Sequence, residues 1–344
     1  MELTERKRAV LKAIVKAYID TGEPIGSKNL MLLLDNAPSS ATLRNEMSEL
    51  CELGLLLQPH TSAGRIPTSK GYRFYVDSLM SPSVLPDKSA RYIKEEVETL
   101  RSDPESMPVS AAKILSELTG LPAVACLIPE KIPRIKRIEL LPIGKFSTML
   151  LLITDDGRTR NRIFRQGRSF TEDMKNCFDD IVRQNIKGKP INELTKAYMQ
   201  SVIVKSGIYS LSLMPLLTAA FETASEIETS SVTLSGDKYL YNVCSDEKQA
   251  DGIFSLIRRK DPIVSIFESA EEQGGVVFGA DTGFEELSPN TVIASKFTSC
   301  DKYKGYLGII GPNRMSYEQI IPFIKYTADV LTVNMTEAQK DMED

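Results

Sequence analysis

Residues 39–77 read SSATLRNEMSELCELGLLLQPHTSAGRIPTSKGYRFYVD, and this stretch decides the fold of the first eighty residues. Its first half has the spacing of a capped helix with two chemically different faces. Its second half, from Leu53 to Val76, contains no acidic residue. The whole chain has a formal net charge of −4, so this acid-free segment is chemically distinct from its surroundings.

The first half predicts a helix that begins after Ser39 or Ser40, both good N-cap residues, and ends at Gly54. One side of the helix is apolar at i, i+4 and i+7, and we expect it to face a core: Leu43, Met47 and Leu50. The other side carries short or planar hydrogen-bonding groups: Ser40, Thr42, Arg44, Asn45 and Ser48. Taken alone, this polar side fits either a solvated helix face or a binding surface.

Two more helices are predicted upstream. Thr4 caps an amphipathic helix that stops at Gly22, and Ser27 caps a shorter helix that runs through Leu34. An apolar strand is predicted at residues 55–57. Three short helices followed by a strand and a loop rich in Gly and Pro match a winged helix-turn-helix, whose recognition helix presents its N-terminal residues to base edges.

The second half of the stretch predicts a hairpin, because Pro59, Gly64 and Pro67 interrupt it. The loop has several hydrogen-bond donors and no carboxylate, which suits contact with phosphate. Tyr72 and Tyr75 lie on an apolar helical stripe, so we expect them in the core and not as base-stacking platforms. The residues predicted to contact DNA are Lys28, Ser39, Ser40, Thr42, Arg44, Asn45, His60, Thr61, Ser62, Arg65, Lys70 and Arg73.

Two of these are candidate base readers. Arginine can hold guanine through two hydrogen bonds and asparagine can hold adenine in the same way, which singles out Arg44 and Asn45. Asn45 fits a phosphate contact equally well.

Composition supports a DNA-facing head on an acidic body. The chain has 344 residues, of which 42% are hydrophobic and 26% charged, as in an ordinary globular protein of two or three domains. Residues 1–76 hold ten Lys and Arg against eight Asp and Glu, a net charge of +2, which leaves −6 for the remainder. This asymmetry favours a nucleic-acid partner for the N-terminal part.

Several function classes have little support. The five cysteines are scattered without a C-x-x-C pair, which favours the reduced cytosol over a disulfide framework. The single histidine, His60, and the lack of a phosphate-binding loop argue against an enzyme, a metal site or a cofactor. No apolar run approaches the ~18 residues of a membrane span or reads as a signal peptide.

Four blocks closely resemble the heat-inducible transcription repressor family HrcA: LKAIVKAYIDTGEPIGSK, SSATLRNEMSELCELGLL, QPHTSAGRIPTSKGYRFYVD and, far downstream, GYLGIIGPNRMSYEQIIPFI. The resemblance implies a negative regulator of heat-shock chaperone operons that binds an inverted-repeat operator of double-stranded DNA as a homodimer. It also implies that the GroE chaperonin keeps the repressor active and that heat stress removes this support. We expect such a protein in the cytoplasm, associated with the nucleoid.

The body of the chain alternates helices and extended segments, an α+β pattern. Extended runs occur at residues 123–165 and return only near the C-terminus, which predicts a sheet built from both ends around an insertion. The residues of the insertion predict helices followed by a hairpin at residues 231–243, SVTLSGDKYLYNV, with its turn at Ser235, Gly236 and Asp237. The resemblance implies a GAF-like domain interrupted by a dimerising domain. The predicted domains are the winged helix-turn-helix at 1–80, a linker and connecting helix at 81–108, the GAF-like domain at 109–169 and 246–336, and the insertion at 170–245.

Some alternatives stay open at this point. The wide apolar helix faces of the insertion fit either partner contact or core burial. A GAF-type regulator that senses a small molecule is the alternative function. The IIGPNRM segment at residues 309–315 could hold an anion at Asn313 and Arg314, although a tight turn explains it more simply.

Overall fold

The structure is a computed structural model that describes residues 3–35, 37–101, 103–104, 106–165, 171–205, 210–227, 231–299 and 303–343. It forms two compact units. The first unit comprises Met1–Leu127 and Val232–Asp344, and the second comprises Ile128–Ser231.

The elements follow the chain as a helical N-terminal part and then a mixed α/β part. In order they are α1 Glu5–Thr21, α2 Ser27–Leu33, α3 Ser40–Glu52, β1 Leu56–Leu57, β2 Ile66–Pro67, α4 Ser69–Ser78, α5 Asp87–Glu98, α6 Met107–Thr119, β3 Ala123–Pro129, β4 Ile135–Gly144, β5 Ser147–Thr154, β6 Thr159–Arg165, α7 Glu172–Ile181, α8 Lys196–Lys205, α9 Ser210–Ser225, β7 Ser231–Ser235, α10 Asp237–Val243, α11 Glu247–Arg259, α12 Asp261–Glu272, β8 Val276–Phe278, β9 Asn290–Ser299, β10 Tyr303–Pro312 and α13 Tyr317–Glu343.

The first three helices and the β1–β2 hairpin form the predicted winged helix-turn-helix. The side chains of Thr4, Ser39 and Thr68 cap α1, α3 and α4 by accepting hydrogen bonds from backbone N–H groups of the first turn. Apolar residues at helical spacing, such as Leu11, Ile14 and Leu43, are fully buried between these helices. Local capping and periodicity therefore account for this part of the fold.

The larger sheet of the first unit has the strand order β7-β3-β10-β9-β8. Strand β10 pairs with β9 in antiparallel register from Tyr303–Ser299 to Pro312–Asn290. The helices α12 and α13 pack on β9, and α13 also packs on α5 and α6. Strand β3 precedes β4 to β6 in the chain, whereas strands β7 to β10 follow α9, so segments distant in sequence contribute to this sheet.

The second unit differs from the predicted boundaries. Its antiparallel sheet β4-β5-β6 was assigned to the GAF-like half, but it packs on the helices of the insertion. Leu150 and Leu152 on one face of β5 share a buried cluster with Phe178 of α7 and Leu216 of α9. An alternating strand must bury its apolar face against some partner, and the strand alone does not specify which partner.

The hairpin predicted around residues 231–243 is not observed. Strand β7 joins the five-stranded sheet, and Gly236 follows it in the left-handed region with a φ of 72°. The residues after Gly236 form α10, in which Leu240 and Val243 are buried. Those two positions lie three residues apart, which is helical spacing, and this burial outweighs the extended propensity of the tyrosines around them.

None of the helices in the described residues combines the length and the apolarity that a membrane span requires. Within the same residues, no group of three or more His, Cys, Asp or Glu side chains is arranged to hold a metal ion. Cys51, Cys126, Cys177 and Cys244 are free thiols, while Cys300 lies outside the described residues.

Candidate nucleic-acid interface

The exposed side of α3 is built by its own cap and core residues. The Ser39 hydroxyl accepts a hydrogen bond from the Thr42 backbone N–H at 3.2 Å and lies 3.0 Å from the Thr42 hydroxyl. Leu43 is fully buried, which turns the next two residues, Arg44 and Asn45, toward solvent. The two candidate base readers are therefore exposed in the first turns of α3, where a recognition helix presents its side chains.

A hydrogen-bonded group of three side chains orients Arg44. Its Nε donates to the Ser27 hydroxyl at 3.3 Å, and the Ser27 hydroxyl lies 2.8 Å from that of Ser40. The prediction that Ser27 caps α2 is wrong. The N-cap is Gly26, and Ser27 is the first residue of the helix. The guanidinium Nη groups remain available to an incoming acceptor, because Arg44 pairs with no carboxylate in the described part of the chain.

The wing comprises β1, β2 and the loop that joins them. Backbone hydrogen bonds hold it to the segment between α1 and α2. Leu56 pairs with Pro67 and Leu57 with Ile66, and beyond them Ile25 and Arg65 exchange two backbone hydrogen bonds of 2.9 and 3.0 Å. A Cβ at Gly64 would collide with the backbone carbonyl of Ile25, so this approach requires glycine.

The Gln58 side chain closes the wing tip. Its Nε2 donates to the carbonyl oxygens of Thr61 and Ala63 at 2.9 and 3.0 Å. His60, Thr61 and Ser62 are exposed at this tip, as the prediction requires for contact with a phosphate backbone. The roles of Gln58 and Ser27 in this site could not be assigned from the sequence. Gln58 is marked there only by its position before Pro59 in the hairpin, and Ser27 only as a small polar residue at the start of a helix.

Carboxylates near the interface are neutralised by α1. Lys7 Nζ lies 2.6 Å from Glu49 and 3.2 Å from Glu46, and both glutamates are on α3. Hydrogen bonds to Glu49 and Glu46 raise the pKa of Lys7 above its ordinary value. The ammonium group therefore offsets negative charge on α3 that would repel an approaching phosphate.

Two further cations lie around the wing. Lys70 is exposed, and its Nζ donates to the carbonyl of Leu53 at the end of α3 at 2.9 Å. Arg65 is half-buried, and its Nε is buried without a hydrogen-bond partner among the described residues. Lys28 is exposed on α2. The structure thus brings the predicted residues of α2, α3 and the wing onto one head of the molecule, with the exception of Arg73.

Arg73 faces away from this interface. One of its Nη groups donates to the carbonyl of Val276 at 2.7 Å, and the other donates to Gln273 Oε1 at 2.9 Å. Its guanidinium also lies 4.9 Å from the ring centroid of Phe278 and 3.7 Å from Asp281. These contacts do not fit the predicted phosphate contact, and we remove Arg73 from the interface.

The tyrosines of α4 behave as predicted. Tyr72 and Tyr75 are buried. The Tyr72 ring stacks on Phe278 with centroids 6.4 Å apart, and the Tyr75 hydroxyl donates to Glu318 at 2.8 Å. Helix α4 is therefore the side of the head that packs on the rest of the first unit.

Comparison with known families agrees with this geometry. Residues 2–78 match the family model described as winged helix-turn-helix transcription repressor, HrcA DNA-binding. Residues 108–321 match the model described as HrcA protein C terminal domain. The two matches together span the head and most of the body.

Relatives match over nearly the full chain. The heat-inducible transcription repressor HrcA of Clostridioides difficile is 32% identical over 334 residues, which cover 95% of this chain and 98% of that protein. The protein of the same name from Acetivibrio thermocellus is 30% identical over 331 residues, covering 95% of this chain and 94% of the relative. A crystal structure of a hypothetical protein at 2.2 Å resolution shares the fold, with a TM-score of 0.57, 22% identity, and coverage of 98% of this chain and 100% of that one. The chain therefore belongs to the HrcA family of heat-inducible transcription repressors.

Proposed function

We propose that this chain represses heat-shock chaperone operons by binding an inverted-repeat operator as a homodimer. The observation that carries the proposal is the exposed start of α3, where Arg44 and Asn45 stand beside a wing without carboxylates. Phosphate contacts from the wing and from Lys28 position the head, and base contacts from α3 supply specificity. The proposed contact residues are Lys28, Ser40, Thr42, Arg44, Asn45, His60, Thr61, Ser62, Arg65 and Lys70, with Ser39 as the helix cap.

The outer face of the β4-β5-β6 sheet supports a homodimer. Leu141 pairs with Met149, and Met149 pairs with Ile163, so these three residues form one cross-strand row. Leu141 is 38% and Ile163 61% exposed, and Ile143 and Phe146 nearby are also exposed. A contiguous apolar face of this kind is typical of a protein–protein interface, and we assign it to a second copy of the chain.

Two heads in one dimer set the form of the operator. Each recognition helix occupies one half-site, so the half-sites should be inverted and a whole number of helical turns apart, about 10 or 20 bp. Linking the two contacts raises the effective concentration of the second head, which makes dimerisation a condition for tight binding.

The finer regulatory proposal rests on the family resemblance. The GroE chaperonin would keep the repressor active, and heat-damaged proteins would compete for the chaperonin and release the operon. We propose that such a repressor acts in the cytoplasm, at the nucleoid.

One experiment tests the operator and the chaperonin together. Genomic fragments retained by the protein are sequenced with and without chaperonin. We expect enrichment of one inverted repeat upstream of chaperone genes and a higher retained fraction when chaperonin is present. Enrichment of unrelated sequences would reject the repressor proposal, and an unchanged fraction would reject the role of the chaperonin.

A second experiment tests the dimer. Ile163→Glu places a charge in the apolar row and should yield a folded monomer in sedimentation, with weakened operator binding. The matched control is Arg160→Glu on the same strand, at an exposed position outside the row. A dimer that survives Ile163→Glu would move the interface to another surface.

A further inference from the structure

An open cleft of about 500 Å³ lies where the base of the wing meets the loop after β10. We call it the wing-base cleft. Its lining contains no acidic residue. It joins the DNA-binding head to the larger sheet within the first unit, and the residues that matter for the inference are Leu57, Pro67, Tyr72, Asn313 and Arg314.

Tyr72 lines this cleft without presenting its hydroxyl to it. The residue is 2% exposed, and its hydroxyl has no hydrogen-bond partner among the residues that the structure describes. The hydroxyl oxygen is closed to solvent, although the residue lines the cleft. A ligand in the open cleft therefore does not reach this hydroxyl, and Tyr72 contributes wall surface only.

Arg314 supplies an uncompensated cation. Its side chain is exposed, and in the described ranges no residue forms an ion pair or hydrogen bond with it. The guanidinium lies against the backbone of Gly22 at the end of α1, where a Cβ would come within 3.3 Å of Nη1. It is thus held at the mouth of the cleft with its donors unused.

Asn313 adds a neutral donor. Its Oδ1 accepts from the Thr291 hydroxyl at 2.7 Å, and its backbone carbonyl accepts from the Tyr317 hydroxyl at 2.7 Å. These two bonds fix the residue and leave the side-chain amide nitrogen as a donor. The cleft therefore combines one cation and one neutral donor with apolar walls formed by Leu57 and Pro67.

We infer that the wing-base cleft binds a small organic anion that carries one carboxylate on an apolar, ring-sized body. The carboxylate would pair with Arg314 and accept from the Asn313 amide, and the body would pack on Leu57 and Pro67. Charge-assisted hydrogen bonds to a guanidinium give such a ligand its orientation, and the walls give it apolar contact.

A ligand in this cleft touches the wing and the body at once. Occupancy would therefore favour one placement of the wing and change the affinity for operator DNA. This coupling rests on the proposed repressor function, whereas the binding of the anion does not.

Calorimetric titration of the full chain without DNA tests the binding. The probes are benzoate, which has both charge and ring, acetate, which has the charge alone, and benzyl alcohol, which has the ring alone. We expect benzoate to bind at least about tenfold more tightly than either of the others. Equal binding of acetate and benzoate, or no binding of benzoate at millimolar concentration, would overturn the inference.

Variants locate the site. Arg314→Gln should weaken benzoate binding about tenfold or more, while Arg91→Gln, at an exposed arginine of α5, should have no effect. Tyr72→Phe should leave the benzoate affinity unchanged, because the hydroxyl that it removes is closed to the cleft. A normal benzoate affinity in Arg314→Gln would place the binding elsewhere and overturn the assignment.

Anisotropy with labelled operator tests the coupling. A change in operator affinity on adding benzoate, absent in Arg314→Gln, supports it. Calorimetric binding with no change in operator affinity would overturn the coupling alone. If no operator can be found, the proposed repressor function fails while the calorimetric result stands on its own.

Discussion

The DNA-binding head has two sides that carry similar side chains in different surroundings. The front is the exposed side of α3 with the wing, and the back is the side of α4 that packs on the rest of the first unit. On the front, Arg44 makes one hydrogen bond to Ser27 and leaves its Nη groups toward solvent. On the back, Arg73 has both Nη groups engaged by Val276 and Gln273. The acceptors around an arginine therefore decide whether its guanidinium stays available to a ligand or is engaged by the fold. On the proposed function, the two faces should respond oppositely to mutation.

The largest expected effect is on the front. Arg44→Ala should remove most of the preference for the operator over scrambled DNA, because one bidentate base contact discriminates by about 1–3 kcal/mol and a dimer contains two. Nonspecific, salt-sensitive binding should remain. Competition binding with operator and scrambled duplexes measures the ratio.

Arg44→Ala should leave thermal unfolding almost unchanged, since the side chain is exposed. Full retention of operator preference would show that α3 is not the recognition helix. The control is Arg91→Ala, an exposed arginine on α5 outside the interface.

The opposite pattern is expected on the back. Arg73→Ala should lower the free energy of unfolding by roughly 2–3 kcal/mol, because it leaves a backbone carbonyl and an amide without their donor and removes a cation–π contact. Urea denaturation measures this loss. The salt dependence of DNA binding should stay the same. A reduced salt slope together with normal stability would return Arg73 to the interface.

A smaller effect is expected from Lys70 at the base of the wing. If its ammonium group contacts phosphate, Lys70→Ala should weaken binding to operator and random DNA alike. The slope of log affinity against log salt should fall by about 0.9 for each head, or about 1.8 for the dimer. Titrations at several salt concentrations give the slope. An unchanged slope would mean that the hydrogen bond to the Leu53 carbonyl occupies the group fully.

The smallest expected effect is on the pH dependence of stability. It concerns Glu318 of α13, which contacts Tyr75 and Lys16 of the head. Burial alone would raise the pKa of Glu318, but hydrogen bonds from Tyr75 and Lys16 outweigh it and hold the pKa below its ordinary value. The ionised group therefore adds stability that is complete above the unfolded-state pKa, about 4.3, and is lost as pH falls through the lower folded-state value.

Urea denaturation of the unmodified protein and of Glu318→Gln over this pH range tests the effect. The difference in stability should be greatest near neutral pH and should shrink as pH falls. Glu95→Gln, at an exposed carboxylate of α5, is the control. A difference independent of pH would mean that the carboxylate contributes shape and not charge.

Much of the head could be predicted because its signals are local. The caps Thr4, Ser39 and Thr68 and the buried Leu43 and Leu50 follow from short-range spacing, and the structure has them as expected. The apolar stripe of α4 likewise identifies its tyrosines as core residues. The exposure of Arg44 follows from the same periodicity, because a helix that buries Leu43 turns its neighbour outward.

What could not be predicted depends on contacts between distant residues. The role of Arg73 is decided by Gln273, 200 positions away. The strands β4 to β6 have the alternation of any half-buried sheet, and only the packing of α7 and α9 assigns them to the second unit. Residues 237–243 could be extended or helical by propensity, and the burial of Leu240 and Val243 decides for α10.

The sequence by itself therefore determined the winged head, its caps and its exposed polar helix face, because hydrogen bonds and side-chain periodicity within a few residues specify them. Tertiary structure alone decided which cations remain free, which sheet each strand joins, and that the Tyr72 hydroxyl is left without a partner beside Arg314. Those outcomes depend on which acceptors and which apolar surfaces the folded chain brings together, and no local pattern carries that information.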